Sequence, residues 1–157
     1  MKILLIQIDK TQDAYLEEGI ELYVKRLKNY ASFEVLTISM PKNVRQRTIA
    51  EQKNEEAKRI LQEISPADHL VLLDEKGKEY TSQQFAEWIQ QKQLSNVKRL
   101  VFLIGGPFGF DEEVYARANA KTALSKMTFS HQMVRLFFTE QLYRAFTILK
   151  GEKYHHT

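Results

Sequence analysis

The chain has no cysteine in 157 residues, which excludes disulfides, thiolate metal sites and thiol nucleophiles together and fits a reducing cytoplasm. Four histidines, of which only His155 and His156 are adjacent, make a poor ligand set, so no metal is expected. Prolines number three, hydrophobic residues make up 43% and charged residues 27%, which excludes a collagen-like or wholly disordered chain. Long apolar runs are also missing. The run ILLIQI at residues 3–8 is closed by Asp9 and Lys10, too short for a signal-peptide core or a membrane span, so it predicts a strand and no membrane partner. Two phosphate-binding signatures are absent too: Gly105, Gly106 and Gly109 do not form G-x-G-x-x-G, and no G-x-x-x-x-G-K-[ST] occurs.

What is present is an alternation of strand and helix patterns. After the first strand, Leu16, Ile20, Tyr23, Val24 and Leu27 recur at helical spacing, and residues 33–38 read as a second strand. Pro41, Lys42, Arg45 and Arg47 open a loop, and a charged helix follows over 49–64, stopped by Ser65 and Pro66. The basic residues of the segment from Lys42 to Arg59 are interleaved with Glu51, Glu55 and Glu56, the pattern of a solvated helix. Continuous apolar runs at 69–74 and 99–104 predict buried parallel strands, with Gly77 in the loop after the first of them. Thr81 or Ser82 caps the helix between them, and Asp111 caps a short one. TALSKM at 122–127 is strand-like, and a long helix runs from 131 to 150, stopped by Gly151. The length suits one domain over 1–157, and the alternation predicts an α/β architecture: a mostly parallel sheet with helices on both faces.

Charge gathers at one end. Residues 117–157 hold seven Lys/Arg against two acids, whereas the whole chain is only +3, so a polyanionic partner would meet this segment. On the last helix Phe138, Leu142, Ala145, Phe146 and Leu149 form a core stripe, flanked by Leu136 and Tyr143 on one side and Phe137 and Ile148 on the other. A helix this apolar is either wedged inside its own domain or buried in a homodimer; the pattern favours the dimer.

The turn IGGPFG at 104–109 leaves a buried strand, and in open α/β sheets ligands bind outside the carboxyl ends of strands. His131 reads as a helix-start residue or as a proton acceptor facing that crevice. Glu140 and Arg144 form an i, i+4 pair that is a surface ion pair in the plain reading, while Arg135 and Arg144 are the cations suited to an RNA phosphate.

Taken together, IGG-P-x-G, LSKMTF-x-HQM-x-R, EQLYRA and a terminal KYHH resemble the RlmH family of SPOUT-class RNA methyltransferases, over essentially the whole chain. The resemblance implies a C-terminal trefoil knot, an exception to the rule against knotting. It implies a homodimer, S-adenosylmethionine as cofactor, and methylation of N3 of a pseudouridine in the helix 69 loop of 23S rRNA on assembled ribosomes. Carried across residue by residue, the cofactor site is Leu73, Gly105, Leu124, Ser125, Lys126, Met127, Thr128 and Phe129. Tyr154 and His155 of the tail, with His131, are the catalytic candidates. His156 departs from the Arg or Lys of some relatives. Action on another RNA such as tRNA, or a ribosome-binding factor without turnover, are the alternatives.

Overall fold

A computed structural model describes residues 1–156. The elements run β1 (Lys2–Ile8), α1 (Ala14–Leu27), β2 (Ser32–Ile38), a single 3₁₀ turn (Val44–Gln46), α2 (Ile49–Gln62), β3 (His69–Glu79), α3 (Ser82–Leu94), β4 (Arg99–Ile104), α4 (Glu112–Arg117), β5 (Ala120–Ala123) and α5 (Met133–Leu149). All five strands are parallel, in the order β2-β1-β4-β3-β5. Helices cover both faces, as the alternation predicts.

The continuous hydrophobicity of the central strands follows from this double burial. Along β1, Ile3 and Leu5 enter one core with Phe85, Phe102, Phe138 and Leu142, while Leu4 and Ile6 enter the other with Ile60, Val101, Leu103 and Val114. A period of two therefore supplies two cores instead of one core and one wet face. Local signals fix the helix ends. Thr81 Oγ1 accepts from the Gln84 backbone N–H and Gln84 Oε1 accepts from that of Thr81, a reciprocal cap on α3. Gly151 ends α5 with a φ of 67°, which a residue with a Cβ adopts only at a cost.

Three boundaries differ from the sequence reading. β3 continues to Glu79, so Gly77 is a strand residue: a Cβ there would lie 2.6 Å from the backbone of Lys121 and Thr122, and only glycine lets β5 pass so close. β5 stops at Ala123, leaving residues 124–130 free as a loop, and α5 starts at Met133.

The apolar circumference of α5 is explained mostly within the chain. The helix packs against both α1 and α3. Tyr143 meets the rings of Tyr23 and Tyr30, and within the helix only Phe137 keeps a large apolar surface exposed, at 41%.

Candidate active site

Parallel strands bring their carboxyl ends to one edge of the sheet. There the glycine turn after β4, the end of β3 and the loop 124–130 enclose a cavity of about 550 Å³. Leu73, Ile104, Leu124, Met127 and Phe129 give it apolar walls; Asp74 and Glu75 bring negative charge to it. Two polar contacts hold its rim. Thr128 Oγ1 donates to Glu75, tying the loop to β3, and Tyr115 Oη donates to Asp74 Oδ2 at 2.6 Å. Burial and that carboxylate push the Tyr115 hydroxyl up to about 12.

Leu73, Gly105, Leu124, Ser125, Met127, Thr128 and Phe129 all line this cavity, as does His131. Lys126 does not: its side chain is 88% exposed and points to Glu79, 3.9 Å away. Gly105 has a different reason to be glycine than ligand approach alone. A Cβ there would stand 2.7 Å from the Phe110 ring, so a larger residue would first displace the packing under the cavity floor.

Sequence reasoning missed Glu56, which reaches from α2 to accept the Gly106 backbone N–H at 3.1 Å. Burial raises its pKa, the Gly106 N–H opposes this, and Asp9 adds to it. A Cβ on Gly106 would fall 2.7 Å from its Oε2, so the second glycine is matched to this carboxylate. Nothing in the spacing along the chain joins residues fifty positions apart.

Arg135 is not available to RNA. Its side chain is fully buried, donating from Nη2 to Ile8 O (2.6 Å), from Nη1 to Asp9 O and Thr11 Oγ1 (both 3.0 Å), and from Nε to His131 O (3.1 Å). The guanidinium fork closes the carboxyl end of β1, where Asp9 takes a left-handed φ of 59° and its Oδ1 accepts the Met40 N–H. This correction has a simple cause: four of the five N–H donors are engaged inside the fold, and a fully buried cation presents nothing to a phosphate outside it. His131, next to it, is held neutral near pH 7. Burial lowers its proton affinity and the charges of Arg135 and Arg45 lower it further, against the opposing pull of Asp9.

The tail is docked. Tyr154 Oη donates to Glu140 Oε1 (2.9 Å) and lies 3.5 Å from Tyr23 Oη; its ring is edge-on to Tyr143 at 4.8 Å with the Arg144 guanidinium over it at 4.7 Å. A base stacking on Tyr154 would meet a ring already engaged by Tyr143 and Arg144. Burial, followed by the bonds to Tyr23 and Glu140, holds its hydroxyl well above the ordinary range. Arg144 is clamped to Glu140 at 2.6 Å and donates from Nη1 to His155 Nδ1 at 3.1 Å. Arginine has no acceptor, so in this contact Nδ1 is the acceptor and Nε2 carries the ring proton. Glu140 and Arg144 also line a second cavity of about 690 Å³ on the α5 side, which shares Thr122, Leu124 and Phe129 with the first. His131 thus lines the first cavity, while Arg144, which holds His155, lines the second.

Among the described residues no group of three or more His, Asp or Glu is placed to hold a metal, and no helix is long and apolar enough to cross a membrane.

Residues 1–155 match the family described as "Predicted SPOUT methyltransferase". The chain is 58% identical over 156 residues to the ribosomal RNA large subunit methyltransferase H of Cytophaga hutchinsonii, covering 99% of this chain and 100% of that protein. It is 54% identical to the protein so named in Parabacteroides distasonis and 53% identical to that of Christiangramia forsetii, each over 99% of both chains. With the glycine turn, the loop 124–130 and the parallel sheet all in place, the chain belongs to the SPOUT methyltransferase family, in the RlmH group.

Proposed function

We propose that the protein transfers the methyl group of S-adenosylmethionine to N3 of a pseudouridine in the helix 69 loop of 23S rRNA on assembled ribosomes, acting as a cytoplasmic homodimer with a knotted C-terminal half. The observation that carries the reading is the cavity at the strand ends, walled by the glycine turn and the loop 124–130, in a chain whose relatives are named for large-subunit rRNA methylation.

The residues fit the cofactor. Adenine needs an apolar slot, which Leu73, Leu124, Met127 and Phe129 provide, and about 550 Å³ lies within the range of small-molecule sites. Asp74 and Glu75 complement a sulfonium and an ammonium group. When bound, the cofactor supplies an electrophilic methyl group open to direct displacement. The chain's own task is to place the acceptor nitrogen in line and favour loss of its proton. His155 presents Nε2–H and is polarised through Nδ1 by Arg144, so it can donate to a base carbonyl and stabilise the charge left when N3 is deprotonated. His131 faces the cofactor cavity as a neutral imidazole able to accept a proton.

The dimer reading rests on a narrower surface than the helix pattern suggests: Phe137 of α5, with Tyr15 and Leu22 of α1, is exposed and apolar. Methyl transfer in vitro tests the activity. With methyl-labelled S-adenosylmethionine, label should enter bacterial large-subunit rRNA in intact ribosomes at least tenfold faster than tRNA, a gap in line with shape-dependent recognition. Label in tRNA alone would favour the other RNA substrate, and no label in either would favour a factor without turnover.

A further inference from the structure

With Arg135 sealed inside the fold and Arg144 clamped to Glu140, the cations first expected to meet RNA are spoken for. The loop between β2 and α2 offers others. Its start is fixed on the site: Met40 N–H donates to Asp9 Oδ1 at 2.9 Å, Asp9 O accepts from Arg135, and Arg135 in turn holds the backbone of His131, which lines the cofactor cavity. Buried Val44 anchors the 3₁₀ turn that follows, so the loop is a built element with its two neighbours turned out.

Not every cation there is free. Arg47 and Arg59 both face Glu55, at 3.8 and 3.6 Å, and Arg59 also donates to Ser39 O. Lys42 and Arg45 are exposed and, among the described residues, have no ion-pair partner. We propose that Lys42 and Arg45 hold backbone phosphates of the RNA strand whose base enters the site, and so orient it over the edge of the sheet formed by the ends of β1 and β4. A loop contact of this kind carries no sequence information; it sets register and adds salt-dependent affinity.

This rests on the RNA-methyltransferase reading, so binding and turnover are measured separately. Lys42→Glu/Arg45→Glu, with Lys98→Glu at the opposite end of the sheet as control, would be titrated against bacterial large ribosomal subunits over a range of salt. The milder Lys42→Ala/Arg45→Ala pair should flatten the slope of log affinity against log salt by roughly 1.5 to 2, and the reversed pair should weaken binding by at least about tenfold at low salt. S-adenosylhomocysteine affinity should be unchanged, KM for the subunits should rise, and kcat at saturation should stay within about twofold. Unchanged slope and affinity in variants that still bind S-adenosylhomocysteine would overturn the proposal. A wild type that binds subunits without methylating them would instead sink the activity, and the slope would still judge Lys42 and Arg45.

Discussion

Ending the chain after Lys153 should leave a folded protein that binds S-adenosylmethionine but transfers methyl groups to ribosomes about a hundredfold or more slowly, the scale of a lost positioned acid–base or orienting group. The fold should survive because the described residues removed contribute no core: Tyr154 and His155 are half-buried and His156 is exposed. The activity should not, because Arg144 loses both the Tyr154 ring over which it lies and the imidazole it polarises. Single variants separate the parts. His155→Ala should reproduce most of the loss, whereas Tyr154→Phe, which keeps the ring against Tyr143 and Arg144 but not the bond to Glu140, should cost less than tenfold. Rapid-quench single turnovers on ribosomes, with calorimetry of S-adenosylhomocysteine as the fold control, would measure both. Full turnover by the shortened enzyme would move the proton chemistry to His131.

Arg135→Met should destabilise the protein by about 4 kcal/mol, lowering the melting temperature by on the order of 10 °C. Methionine keeps most of the stem's bulk but offers no donor, so Ile8 O, Asp9 O and His131 O lose their charged partner in a place water does not reach. Each such bond is worth roughly 1.5 to 3 kcal/mol singly, and the set is less than additive. Arg135→Lys restores one point charge without the fork and should recover only part of the loss. If thermal unfolding moved by less than about 3 °C while RNA binding fell sharply, Arg135 would be the phosphate ligand that its burial argues against.

Much of this was legible along the chain because periodicity encodes burial. The runs at 69–74 and 99–104 announced strands covered on both faces, and Leu70, Val71, Leu72, Val101 and Phe102 are indeed inaccessible. The cavity residues were named through the resemblance, since neither a glycine turn nor LSKMTF specifies a ligand by spacing alone. What stayed hidden are contacts between residues far apart in sequence. Arg135 looked like a surface cation because an arginine in a helix pattern gives no sign that the end of β1 will fold over it, 126 positions away. Gly77 looked like a turn because the strand that crowds it lies more than forty residues on. The loop cations Lys42 and Arg45 read as part of a solvated segment until Met40 was seen pinned to Asp9.

Mass spectrometry of 23S rRNA from a strain of the host lacking this gene tests the activity most directly. One methyl group on a pseudouridine in the helix 69 loop should disappear, and the wild-type gene, but not one ending at Lys153, should restore it. An unchanged methylation pattern across 23S rRNA in the deletion strain would contradict the proposed function.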